Sequence, residues 1–442
     1  MLKNMRKMSL VLILFIVAAL VGCTGVNESG EKAQLSGTIY NEHKELFTGS
    51  AIVTLDGKAG LLEGSKYSFT DVSPGTRELV VEAEGYNVFT KKITFKSGEK
   101  KTEDVYLDNT PKIAVVTGSE MQNAEGYHAA KNMATRYPAS VEHLTYPDNF
   151  WKEQEAVIDQ ISQLASDPMT KAIVVCEAIP GTIEAFTKIR DERDDIVLIV
   201  GVTHEDPDVI REVADLAMEI DQLGRGRSIA QLADEMGAKK ILHYSFPRHM
   251  SLELIKARHD NMKAEAERLG MEFIDVSAPD PNDGDLQQFI LEDIPSQVKS
   301  HGKDIAFFGT NCAMMEPAIK ASLEAGIIFP EQCCPSPFHG YPGALGITDH
   351  NYDVDYTLGQ IRSKVKESGN TDRMATWAVP PNMLFVEAGV KLALKNLQED
   401  LDFSDKEALE KAISETTGVD VSLTRYGTDG NFYLAIVESV IF

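Results

Sequence analysis

The side chains in this chain with the means to do chemistry are hydrogen bonders and aromatics set just after runs of apolar residues. Ser119, Glu120, Gln122 and Asn123 follow the run 112–117, Tyr146 and Asp148 follow 141–145, Glu177 follows 172–176, and Thr203 and His204 follow 196–202. Phe246, Arg248 and His249 follow 240–245, and Asp280, Asn282, Asn311, His339 and Tyr341 come after later runs. Polar groups beside aromatic faces suit capture of a small polar molecule. The planar guanidinium of Arg248 suits a carboxylate or phosphate, and it suits a surface ion pair equally well. Ser119, Asp280 and Asn282 are as good at capping helices or making turns as at touching a ligand. Tyr146 and Tyr341 would also serve to cover a sheet edge.

Catalysis has no comparable signature. The chain holds no Gly-x-Ser-x-Gly turn, no His-Glu-x-x-His helix and no Gly-Lys-Ser/Thr phosphate cradle, so no catalytic residue is assigned and the protein is read as a non-enzyme. Gly224-Arg225-Gly226 suggests a nucleotide loop, but the remaining glycine of that fingerprint is missing. Cys333 and Cys334 are adjacent, adjacent side chains rarely converge on one ion, and His339 and His350 give no recognisable ligand spacing; no metal or cofactor is assigned. Cys176 and Cys312 read as buried free thiols. A net charge of −25 with no basic run after the N-terminus excludes nucleic acid as a partner.

The elements that must position these residues follow from periodicity. Strands are expected at 112–117, 141–145, 172–176, 196–202, 216–220, 240–245, 272–276, 304–309 and 327–329, alternating with amphipathic helices such as 122–136, 151–164, 182–190, 227–236, 252–269, 285–300 and 316–325. Strand followed by helix throughout implies parallel strands joined by right-handed crossovers, with helices on both sheet faces. In such sheets ligands lie beyond the carboxyl ends of the strands, and that rule selects the residues named above. Residues 34–109 differ: short alternating strands punctuated by Asp56-Gly57, Ser73-Pro74-Gly75 and Glu84-Gly85 predict a small antiparallel β-sandwich.

Three resemblances refine this. Lys3, Arg6 and Lys7, the apolar run 10–21 and Gly22-Cys23 resemble the signal and lipobox of bacterial lipoproteins. This implies a signal peptide at 1–22, acylation of Cys23, a polar tether at 23–33 and a membrane-anchored, extracytoplasmic protein. Ser36-Gly37-Thr38-Ile39, Tyr67-Ser68-Phe69 and Val80 through Tyr86 resemble the carboxypeptidase regulatory-like (transthyretin-like) sandwich. The run from Met218 to Ala230, and Asp304 to Asn311 followed by a helix ending at Gly326, resemble type I periplasmic binding proteins over residues 110–442. That family's fold is α/β: two doubly wound parallel-sheet lobes, here with crossings expected near 221, 348–352 and 377–382. It implies a small polar solute held between lobes for an ABC-type permease. A sensor kinase partner or another protein-interaction role is the alternative, and a surface hydrolase a third.

Overall fold

A computed structural model describes residues 31–399, 401–428 and 430–442, so Cys23 and the signal lie outside the described residues. The chain divides into an N-terminal unit ending at Asn109 and a second unit from Thr110 to Phe442.

The N-terminal unit is all β: β1 (Ala33–Tyr40), β2 (Ala51–Leu55), β3 (Lys58–Ala59), β4 (Leu61–Glu63), β5 (Lys66–Val72), β6 (Gly75–Ala83), β7 (Phe89–Phe95), β8 (Lys100–Thr102) and β9 (Val105–Tyr106). One sheet runs β4-β5-β1-β8 with β9 also on β1, and the other runs β3-β2-β6-β7. Alternate residues of both, among them Leu35, Ile39, Val53, Tyr67, Leu79, Val81 and Phe95, form its core. Pairing is not wholly antiparallel as expected, because β8 and β9 run parallel to β1. The link between them passes so close to β1 that a Cβ at residue 37 would sit 1.7 Å from the Glu103 carbonyl oxygen, a position only glycine fits.

The second unit begins with β10 (Lys112–Thr117), α1 (Ala124–Arg136), β11 (Val141–Thr145), α2 (Gln154–Gln163), β12 (Thr170–Ala178), α3 (Thr182–Glu192), β13 (Val197–Thr203), α4 (Pro207–Val213) and β14 (Leu216–Ile220). Then come α5 (Gly224–Glu235), β15 (Lys240–Ser245), α6 (Pro247–Met250), α7 (Glu253–Arg268), β16 (Glu272–Ser277), α8 (Leu286–His301), β17 (Ile305–Gly309), α9 (Met315–Ala325), α10 (Tyr341–Leu345) and α11 (Val354–Glu367). It closes with β18 (Ala375–Trp377), α12 (Pro381–Glu399), α13 (Lys406–Thr417), β19 (Val421–Arg425), β20 (Phe432–Val437) and β21 (Ser439–Ile441).

Two doubly wound α/β lobes result. The first lobe's sheet is ordered β11-β10-β12-β13-β14-β20-β19, parallel except for the antiparallel β19. Ile113 and Val115 feed a core with α1, α12 and α13, while Ala114 and Val116 feed another with α2, α3 and α4. Burial on both faces is why these strands read as unbroken apolar runs. The second lobe has β16-β15-β17. Residues 327–329 extend it through bridges from Ala306 to Ile328 and from Phe329 to Met374, reaching β18 and β21.

The chain passes between lobes at Asp221–Leu223, again between β18 and α12, and a third time at Glu438. These strands of chain are tied together: the Asp221 N–H donates to the Ala435 carbonyl at 3.0 Å and the Ala378 N–H to the Glu438 carbonyl at 2.9 Å. Residues 348–352, expected to be a crossing, instead join α10 to α11 inside the second lobe, where Tyr341, Ile347, Ile361 and Val365 share one core. Their polar, turn-forming character reflects a tight loop with positive φ at Asp349, Asn351 and Tyr352, not a hinge. Among the described residues, no helix is long and apolar enough to cross a membrane.

Candidate functional site

The wall contributed by the first lobe is built on Glu177, carried at the end of β12. Its Oε1 accepts from Asn123 Nδ2 at 3.1 Å and Asn382 Nδ2 at 3.2 Å, and its Oε2 lies 3.1 Å from His204 Nε2. Asn123 also caps α1 by accepting from the Gly126 N–H. The Glu177 carboxylate holds His204 above its usual pKa. Beside it, Glu219 accepts from the Thr203 and Ile220 N–H groups, and burial pushes its carboxyl up. Glu125, in the first turn of α1, is pushed up by the same cause.

On the second lobe the wall is an irregular, largely buried loop, residues 330–340. Arg225, wholly buried in α5, holds it: Nε and Nη2 donate to Glu331 Oε1 at 2.8 and 2.6 Å, Nη1 donates to the Cys333 carbonyl at 3.1 Å, and Nη2 donates to the Gln332 carbonyl at 2.9 Å. Trp377 Nε1 donates to the other Glu331 oxygen at 2.7 Å, and Gln332 is pinned by Thr376 and by the Ser336 carbonyl. A buried ion pair survives only when its remaining lone pairs and protons are also met, as here. Loop and first lobe meet where Ser336 Oγ donates to Glu125 Oε1 at 2.6 Å. Gly226 follows Arg225 for packing: a Cβ there would lie 2.4 Å from the Arg258 carbonyl oxygen, so α5 and α7 touch backbone to backbone. That accounts for Gly224-Arg225-Gly226 without a nucleotide.

A cavity of about 250 Å³ opens on this wall, lined by Gln222, His249, Arg258, Thr310, Asn311, Cys312, Cys333 and Cys334 among others. Burial and the neighbouring Arg225 pull the Arg258 guanidinium down to about 10, so it keeps its charge at neutral pH. A larger groove of about 620 Å³ flanks the lobe junction between Asn132, Met383 and Glu387 on one side and Asn351–Leu358 on the other.

Of the residues selected from sequence, the structure gathers Asn123, Glu177, Thr203 and His204 on one wall and His249, Asn311 and His339 on the other. Asn311 also caps the turn that follows, through the Ala313 N–H. Others are engaged elsewhere. Ser119 and Gln122 close a surface turn with Asp148, and Glu120 pairs with His128. Arg248 spends its guanidinium on Asp280 at 2.7 and 3.0 Å while lying over the Phe246 ring, so its fork is not free for an anion. Tyr146, Phe246 and Tyr341 are core residues with almost no exposed surface, and Tyr341 donates to the Ala375 carbonyl.

Glu125, Glu219, Asn382, Arg225 and Glu331 were not selected. Glu219 stands at the end of a strand and the same rule reaches it; Arg225 and Glu331 lie 106 residues apart and carry no local signal. Nor were the thiols: Cys176 is buried as expected, but Cys312, also expected to be buried, is exposed, because it sits in the turn after β17, directly following Asn311. Cys333 Sγ lies 3.4 Å from Cys312 Sγ, which lies 3.7 Å from Cys334 Sγ, and a ring nitrogen of His339 completes a group within 4.8 Å.

A family model described as "Protein of unknown function (DUF3798)" matches residues 111–375, and the PEGA domain model matches residues 49–111, most of them in the β unit, whose sequence resembles a carboxypeptidase regulatory-like sandwich. Two proteins of Treponema pallidum (strain Nichols), each described as uncharacterized, are similar to it. One is 38% identical over 191 residues, 42% of this chain and 84% of that protein; the other is 35% identical over 209 residues, 46% and 94%. A solved structure from Clostridium difficile 630, provisionally described as a transcriptional regulator, superposes with a TM-score of 0.72 at 27% identity, covering 75% of this chain and 99% of that one.

Proposed function

We propose, from the premise that this chain belongs to the family described as "Protein of unknown function (DUF3798)", that its second unit is a solute-binding module whose two lobes close on a small polar molecule. The observation that carries this reading is the junction of hydrogen-bonding groups from both lobes beyond the strand ends. Glu177 with Asn123, Asn382 and His204 lies on one side, the 330–340 loop lies on the other, and the Ser336–Glu125 bond spans them. Closure exchanges the solute's water for converging hydrogen bonds, and a partner reads the closed shape. In this reading the protein is anchored at Cys23 on the extracytoplasmic face, the β unit is a spacer or docking module, and the partner is an ABC-type permease.

Sensing without transport is the second reading, favoured by the description of the Clostridium difficile protein as a regulator. Native-state mass spectrometry of gently purified protein tests both, since each requires a stoichiometric small-molecule adduct. Glu125→Gln, which keeps an acceptor for Ser336 but loses the carboxylate, and Asn382→Ala, which takes one donor from Glu177, should each weaken its binding by roughly 1–3 kcal/mol. Unchanged affinity in both variants contradicts the placement of the site.

A further inference from the structure

We infer that Cys312, Cys333, Cys334 and His339 form a tetrahedral site for a single thiophilic cation of the Zn2+ class. The sulfurs of Cys312 and Cys333 are 3.4 Å apart, those of Cys312 and Cys334 are 3.7 Å apart, and all four donor atoms fall within 4.8 Å of one another. A disulfide needs about 2.05 Å. A tetrahedron with metal–sulfur bonds of about 2.3 Å has edges of about 3.8 Å, so the thiols are spaced as ligands around a common centre. The adjacency of Cys333 and Cys334 is no obstacle, because the irregular loop turns both sulfurs toward Cys312.

The surroundings suit the same ion. A carbonyl oxygen can only accept, so the 2.8 Å contact between His339 Nδ1 and the Cys334 carbonyl places the ring proton on Nδ1 and leaves a lone pair on Nε2. This is the outer-sphere bond that orients ligating histidines. Arg225, bonded to the Cys333 carbonyl, and Arg258, lining the adjoining cavity, set positive charge against the thiolates. Three sulfurs and one imidazole select Zn2+ or Cu+ over the oxygen-seeking Mg2+ and Ca2+. Four protein ligands leave no open position, which makes the site structural. Loading it fixes the loop whose Ser336 reaches Glu125, so the ion sets the stiffness of the lobe contact. None of this depends on a solute being bound.

Co2+ followed by Zn2+, added to the full mature chain with its thiols reduced, tests the inference. One equivalent of Co2+ should produce thiolate-to-metal charge-transfer absorption that Zn2+ abolishes. Cys176→Ser, at the buried thiol of the other lobe, should leave this unchanged. Cys334→Ser and His339→Ala should each weaken Zn2+ binding at least tenfold, and Cys312→Ser, at an exposed position, should do the same. Absence of the charge-transfer band in reduced protein overturns the site. So does a band that survives all three substitutions, or a Cys312 disulfide in the isolated protein whose reduction restores no Co2+ binding.

Discussion

Replacing Arg225 with Met should cost far more than a surface charge is worth. The guanidinium is wholly buried and its Glu331 partner is 2% exposed, and the change removes every bond to Glu331, Gln222 and the Gln332 and Cys333 carbonyls. The Glu331 carboxylate is then left buried with only Trp377 as donor. Breaking a buried pair from one side costs about 3–5 kcal/mol. At roughly 2–4 °C per kcal/mol for a large domain, the melting temperature should fall by about 6–20 °C. Urea unfolding followed by fluorescence reads this directly, because Trp377 lies beneath Arg225 and is fully buried; Trp151, 69% exposed, is first replaced by Phe. Adding Glu331→Leu to Arg225→Met should restore part of the loss, since it removes the unpaired buried carboxylate while the Trp377 N–H and the Gln332 and Cys333 carbonyls stay unmet. A single-variant loss below about 1 kcal/mol, or a double variant weaker than the single, refutes the view that this pair holds the loop.

Three further outcomes are expected, two from the geometry and one from the sequence. Glu177→Gln should lower the His204 pKa, measured by NMR titration. Because that pKa is raised in the folded chain, its stabilisation is full below the unfolded value of about 6.5 and is lost as pH rises through the folded value. Arg248→Ala should leave solute binding unchanged while raising the Asp280 pKa from about 2. The wild type's advantage is then present above about pH 4 and vanishes as pH falls through about 2 in acid-unfolding curves. Cys23→Ser should prevent lipid attachment and release the protein from membrane fractions; a variant that stays membrane-bound contradicts the anchor.

The regular part of the two lobes was legible because its signals are local. β10, β11, β14 and β15 fall where apolar runs of strand length stand, and α1, α7 and α9 where the 3.6-residue stripe does. α12 escaped because Leu384, Phe385, Val386, Ala388, Gly389 and Val390 are all buried, which erases the stripe. Strand ends pointed to Glu177, His204 and Asn311 through topology alone. The same rule admitted Tyr341 and Phe246, since it locates the end of a strand but not whether the side chain turns into the core. The 330–340 loop was opaque for a different reason: its shape comes from Arg225 and Trp377, remote in sequence, and so does the meeting of Cys312 with Cys333 and Cys334.

A thermal-shift panel of sugars, nucleosides and carboxylated metabolites on wild type, Glu125→Gln and Asn382→Ala tests most directly whether the two lobes bind a small solute. A solute that binds only the folded form adds about 2.7 kcal/mol at a hundredfold excess over its Kd, a readily measured rise in melting temperature. The predicted result is stabilisation of the wild type by at least one class, reduced in both variants. No stabilising compound anywhere in the panel, or equal shifts in all three proteins, contradicts it.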